Sequence, residues 1–168
     1  MHFEISHELD APVDVIELAF LSPEMGRLLA LALAPGVESV ETILHEVKDG
    51  ELHRTLHFQA SAPLSIFKGI TVARDALCWD THAFYRLSDH TSTWEVKPRE
   101  QYRRYFRASG TYRLESIPEG RTRRVVAGDL EIMVPVPMLG GLIERLALSE
   151  VRKTYDAEAD TLHKLATL

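Results

Sequence analysis

Histidine is the first residue type in this chain to test for chemistry, with eight among 168 residues. His53-x-x-x-His57 invites a metal-pair reading. On a strand, however, four residues span about 13 Å, and the ligands of one zinc ion each sit about 2 Å from it. The two cannot share an ion through that spacing, and no metal site is expected. His82 with Glu95, or with Asp80, has the composition of an acid–base pair, but strand alternation turns these side chains outward as cross-strand surface pairs. Cys78 is the single cysteine and no G-x-S-x-G elbow occurs, so Cys78 reads as a small core residue. Gly140-Gly141 opens a helix without the lysine of a phosphate-cradling loop. No catalytic residue and no cofactor is expected.

A second pair is more suggestive. If Asp49-Gly50 forms a two-residue hairpin turn, His45 lies opposite Arg54, flanked by Val47, Leu52, Ile43 and Leu56. A guanidinium on an apolar face must reach water, find a partner or bind something. Arg54 can snorkel out at a cavity mouth, meet a helix carboxylate such as Glu144 or Glu150, or bind the carboxylate or phosphate of an amphipathic ligand bidentately. In the last case the ligand's tail would lie against Phe58, Trp94 and Tyr112. Trp79, Tyr85, Leu142 and Leu146 complete the set of candidate ligand-binding residues.

Charge is unevenly spread. Net charge is −6, yet residues 97–124 hold nine Lys and Arg against three Glu. Alternation points Arg103, Arg107, Arg113, Arg121 and Arg123 outward. They read either as a solvated face, neutralised by pairs such as Arg107 with Glu131, or as a contact for an anionic membrane surface or acidic partner. Nucleic acid is not an expected partner, because the chain is acidic and few exposed aromatics interleave with the basic residues.

The elements that must position these groups follow from pattern. Residues 2–9 alternate as a short strand, 13–21 suit a short helix, and Ser22-Pro23 restarts a second helix that runs to about 34. Strands are expected at 37–48 and 51–62, at 77–87 and 91–98, and at 104–117 and 121–134, with turns at Asp49-Gly50, Ser88-Asp89-His90 and Pro118-Glu119-Gly120. The first hairpin would pair Val47 with Leu52, Ile43 with Leu56 and Glu41 with Phe58. The second sets Trp79, Ala83 and Tyr85 on the side of Trp94 and Val96. The third sets Tyr112 opposite Val126 and Gly110 opposite Gly128, leaving room for a close-packed helix or a bend in the sheet. A helix over 138–167 carries one apolar stripe, long enough to lie along the whole inner face. Buried Trp and Tyr need partners for their polar ends, which favours a partly open pocket over a solid core.

With this order, the chain resembles the START-like (SRPBCC) superfamily, the helix-grip fold of birch-pollen-allergen-like proteins, polyketide cyclases and lipid-transfer domains. Phe3-Glu4-Ile5 with Asp10-Ala11-Pro12-Val13-Asp14-Val15 resembles its first strand and helix. Gly110-Thr111-Tyr112-Arg113-Leu114-Glu115, Gly128-Asp129-Leu130-Glu131-Ile132 and Pro137-Met138-Leu139-Gly140-Gly141-Leu142-Ile143-Glu144 are similar to the last strands and C-terminal helix of an uncharacterised bacterial branch. The resemblance implies an α+β fold, a curved antiparallel seven-stranded sheet around a long C-terminal helix, with two short helices after the first strand. It also implies a hydrophobic cavity beneath that helix, and no particular reaction.

The expectation is one domain spanning 1–168 that binds or carries a hydrophobic or amphipathic small molecule, a lipid being the leading candidate. The alternative is an enzyme of polyketide cyclase/aromatase type working in the same cavity. A lone cysteine, the lack of a basic-plus-apolar leader and an apolar stretch of only 28–34, where a bilayer needs roughly 20 residues, lead to the expectation of a cytoplasmic protein.

Overall fold

In the computed structural model the described residues are 1–61, 77–133 and 140–167, with the side chains at 140–143 and 146 outside them. Leu142 and Leu146 therefore lie outside the described side chains. The order is β1 (His2–Leu9), α1 (Val13–Phe20), α2 (Met25–Leu33), β2 (Val37–Lys48), β3 (Glu51–Ala60), β4 (Cys78–Arg86), β5 (Thr91–Pro98), β6 (Phe106–Ile117), β7 (Arg121–Ile132) and α3 (Gly140–Ala166). The seven strands form one antiparallel sheet in the order β1-β7-β6-β5-β4-β3-β2. The sheet is not closed, and β1 and β2 are its edges. α3 packs on α1, α2, β1 and β7, and no helix among the described residues is long and apolar enough to cross a membrane.

The turns do what their residues allow. Asp49 and Gly50 have φ of 53° and 76°, the doubly positive pair that matches the twist of a tight hairpin. The second helix starts later than expected, at Met25, because residues 22–24 form a turn in which Ser22 Oγ accepts from the Glu24 amide at 3.2 Å.

Two of the three hairpins keep the expected register. Tyr85 faces Ser92, Ala83 faces Trp94, Tyr112 faces Val126 and Gly110 faces Gly128. The first hairpin keeps Val47 with Leu52 and His45 with Arg54 and then departs from regular pairing. A bulge at Ile43 pairs Thr42, not Ile43, with Leu56, and Val40, not Glu41, with Phe58. Ile43 is left 57% exposed. The physical reason is the core: in a regular ladder a carboxylate would oppose Phe58, and the extra residue replaces it with a valine.

The paired glycines also differ from expectation. They admit the Trp94 indole, not a helix: a Cβ at Gly110 or Gly128 would lie 2.7 or 2.5 Å from Trp94 Cζ2. The main core gathers Phe3, Ile5, Ile16, Phe20, Tyr85, Trp94, Tyr112, Val126, Leu130 and Leu162. A smaller cluster of Leu29, Leu56 and Phe58 packs under α2, with Val40 and Trp79 against it.

Candidate functional site

The inward positions of β7 alternate as Thr122, Arg124, Val126 and Leu130, so an arginine stands in a row that is otherwise buried. Arg124 has no solvent exposure. Its Nη2 donates to Glu158 Oε1 of α3 at 2.5 Å and its Nη1 to the Tyr155 carbonyl at 3.1 Å, with His7 Nδ1 3.2 Å from the same Nη1. The guanidinium also covers the Tyr112 ring at 5.0 Å and the Tyr155 ring at 5.5 Å. Burial alone would lower its pKa, but the Glu158 charge and the neighbouring tyrosines hold it above the ordinary arginine value.

Arg54, on β3, is likewise buried. Its Nη1 donates to the Phe20 carbonyl at 2.6 Å, and its Cζ sits 4.4 Å from the Phe20 ring centre. Phe20 ends α1, whose last carbonyls lack helical partners and carry the negative end of the helix dipole. Arg54 therefore caps α1. It neither opens to solvent nor meets Glu144 or Glu150; the carboxylate whose charge it feels is Glu158. Burial lowers the Arg54 pKa, though arginine stays charged. His45, across from it, is pushed below the usual histidine value by burial and by the Arg54 charge, which keeps its ring neutral.

Between the two arginines stand tyrosines. Burial pushes the Tyr112 phenol up to about 12. Burial, helped by the Glu17 carboxylate, raises Tyr85 as well. Tyr85 Oη donates to Glu17 Oε2 at 2.5 Å, and His90 Nδ1 lies 2.5 Å from the same oxygen. Phe20 links the groups, 5.0 Å from the Tyr85 ring and 4.9 Å from the Tyr112 ring.

Three buried polar atoms have no hydrogen-bond partner among the described residues: His45 Nδ1, Tyr112 Oη and Arg124 Nε. Tyr112 and Arg124 are neighbours, and each steadies the other's charged form: the guanidinium opposes the rise of the Tyr112 phenol, and the phenol helps to hold Arg124 up.

Of the expected ligand-binding residues, the structure brings His45, Arg54, Tyr85, Trp94 and Tyr112 to one face of the sheet. It stacks Phe58 on Trp79, 5.5 Å apart, in the separate cluster under α2. Sequence reasoning missed Arg124, Glu158, Tyr155 and Glu17. Arg124 was accessible through the alternation of β7; its partners on α3 were not, because nothing in the helix pattern says which carboxylate meets the sheet.

The outer face divides. Arg113 pairs with Glu115 at 2.5 Å, Arg121 with Glu8 and Asp10 at 3.2 and 2.9 Å, and Arg123 with Glu8 and Glu115 at 3.6 and 3.9 Å. Arg107 stands opposite Glu131 in the ladder but forms no ion pair with it. Arg103 donates to the Pro98 carbonyl at 3.1 Å, and Arg104 lies over Tyr105. Among the described residues no carboxylate forms an ion pair with Arg103, Arg104 or Arg107. His82 faces Glu95 across the ladder yet bonds to Thr55 at 3.0 Å, while Glu95 takes Lys97 at 3.5 Å. Among the described residues no cluster of three His, Cys, Asp or Glu could hold a metal ion. A recess of about 650 Å³ lined by His53, His82, Thr93 and Thr111 lies on this outer side.

A model of the family described as a protein of unknown function (DUF2505) matches residues 4–165. The chain belongs to the DUF2505 family. No curated protein matches its sequence. Among solved structures, this DUF2505 chain is similar to the Zhui aromatase/cyclase from Streptomyces sp. R1128, with 14% identity, a TM-score of 0.66 and coverage of 99% of this chain and 93% of that one. It is similar to truncated norcoclaurine synthase from Thalictrum flavum, with 11% identity, a TM-score of 0.64 and coverage of 95% and 91%. A START superfamily protein from Mycobacterium smegmatis matches at 14% identity, with a TM-score of 0.59 and coverage of 98% of both chains. At these identities the likeness establishes the fold: the DUF2505 chain has the START-like helix-grip architecture.

Proposed function

We propose that this DUF2505 protein binds a hydrophobic or amphipathic small molecule between the concave face of the sheet and α3. The observation that carries the reading is the set of three buried polar atoms without a regular hydrogen-bond partner among the described residues, His45 Nδ1, Tyr112 Oη and Arg124 Nε, all on that face, with Tyr112 and Arg124 set among aromatic rings and His45 beside Arg54. A buried polar atom without a partner costs about 1–3 kcal/mol, and a bound molecule that supplies the partner removes that cost. Binding is favoured over catalysis because the carboxylates nearest the cluster are committed. Glu17 accepts from Tyr85 and His90, and Glu158 holds Arg124. Lipid carriage in the cytoplasm, with the basic outer residues touching an anionic membrane, is the form of this function we favour.

The test is native mass spectrometry of the protein isolated from its own host, followed by organic extraction and uptake of fluorescent lipids. A bound apolar molecule released on extraction is the expected result. Repeated absence of one, together with no lipid uptake, overturns the reading. Turnover of an aromatic polyketide by the purified protein would replace it with the cyclase/aromatase alternative.

A further inference from the structure

The rim where β5 turns into β6 joins basic, aromatic and apolar side chains. The turn holds Arg103, Arg104 and Tyr105, and Arg107 follows on β6. Met133, just beyond β7, donates its amide to the Tyr105 carbonyl at 2.8 Å, so the two residues lie side by side. Their chain neighbours Phe106 and Ile132 pack against the core, and alternation turns Tyr105, Met133 and Arg107 to the outer side of the sheet. Met133 is 54% exposed. The Arg104 guanidinium lies over the Tyr105 ring, its Cζ 4.7 Å from the ring centre, and Arg103 is steadied by its bond to the Pro98 carbonyl. Glu100 and Glu131 are carboxylates of the same rim, and among the described residues neither forms an ion pair with these arginines.

A partner for this rim must use its charge and its apolar surface together. An acidic protein would engage the guanidinia and leave Met133 in water. An anionic bilayer takes both: lipid phosphates accept from arginine forks, each cation near the surface adds about 1 kcal/mol of attraction, and a tyrosine suits headgroup level, where one end is wet and the other apolar. We infer that this rim docks on anionic bilayers with Met133 and Tyr105 entering the headgroup layer, while Arg103, Arg104 and Arg107 hold lipid phosphates. The inference rests on the membrane-contact form of the proposed function and adds an apolar anchor to it, so that docking outlasts salt that screens charge alone.

Vesicles of phosphatidylcholine with and without phosphatidylserine test it. A Met133→Cys protein labelled with an environment-sensitive nitrobenzoxadiazole dye, Cys78 being buried, should shift its emission to the blue on the anionic vesicles. The same label at Leu18→Cys, an exposed apolar position on α1, should not shift. Met133→Glu should weaken binding to the anionic vesicles by about tenfold or more, the worth of burying most of one apolar side chain, and Leu18→Glu should leave it unchanged. In salt that screens the arginines the wild type should keep part of its binding and Met133→Glu should lose it. Equal binding by wild type and Met133→Glu, or an unshifted label at Met133, overturns the inference. Binding to soluble polyglutamate as tight as to vesicles would make the partner an acidic protein and overturns it too. Uptake of N-phenyl-1-naphthylamine without vesicles keeps the two readings apart. Met133→Glu should bind this probe as the wild type does, and failure of the wild type to bind it counts against the small-molecule reading while leaving the docking result to stand on the vesicles.

Discussion

Arg124 and Glu158 join β7, the strand beside the β1 edge of the sheet, to the C-terminal helix through a 2.5 Å charge-assisted hydrogen bond inside the protein. Arg124 is fully buried, and the Glu158 side chain is 14% exposed. Such a pair adds little over an apolar pair of the same size, but its halves do not tolerate separation. Arg124→Met strands a carboxylate and is expected to cost about 3–5 kcal/mol. Arg124→Met combined with Glu158→Met should recover most of that loss. Urea denaturation of the wild type, both single variants and the double variant measures the coupling. Additive losses would mean that the two residues do not act as a unit.

The register of β2 has its own consequence. Ile43 sits in the bulge and faces solvent, whereas Val40 packs beside Phe58. Ile43→Lys should change stability by no more than about 0.5 kcal/mol, as surface changes do. Val40→Lys should be clearly destabilising, since it sets a charge against Leu56 and Phe58. Thermal melts of the two variants decide the matter, and the reverse order would show the regular ladder to be the true one.

That bulge marks one limit of what the sequence discloses. Register over most of the sheet was legible because turns set it: Asp49-Gly50 and Pro118-Glu119-Gly120 each dictate which residues meet, and period-two alternation then sorts Tyr85, Trp94 and Tyr112 inward. The bulge at Ile43 has no marker, for any residue can be the extra one, and only the conflict between Glu41 and Phe58 hinted at it. Arg54 shows a second limit. Its placement on the inner face was readable, but its partner is the backbone carbonyl of Phe20, and a carbonyl has no signature in a sequence. The tie from Arg124 to Glu158 joins segments distant along the chain, and it depends on how α3 is rotated over the sheet, which an apolar stripe sets only coarsely.

The basic outer face should act through one end only. Arg113, Arg121 and Arg123 are occupied by Glu8, Asp10 and Glu115, so their charges are largely cancelled locally. Arg103, Arg104 and Arg107 have no such carboxylates among the described residues. If the protein touches anionic membranes, replacing the latter three with Gln should weaken association with phosphatidylserine vesicles at low salt by about tenfold or more. Replacing the former three with Gln alters net charge equally and should have a much smaller effect. Vesicle co-sedimentation across a salt series is the measurement, and equal losses from the two triplets would leave only net charge at work.

Alkaline pH should unfold the protein through its buried tyrosines. Burial raises the Tyr112 phenol to about 12 and raises Tyr85 and Tyr155 too, while an unfolded chain returns all three to about 10. Above pH 10 the unfolded state therefore binds fewer protons than the native state, and stability falls as pH rises. The contribution of these groups is fully present below about pH 10 and is lost as pH climbs through the folded values. Of the five tyrosines in the chain, these three should ionise late and together, at the pH where circular dichroism reports loss of structure. Absorbance at the tyrosinate band, followed alongside circular dichroism, gives both curves. Tyr85→Phe should reduce the steepness of the alkaline decline, because one late-titrating phenol is gone. Smooth ionisation of all five tyrosines near pH 10 with the fold intact would show that Tyr85, Tyr112 and Tyr155 are open to solvent, and the interior cluster described for them could not stand.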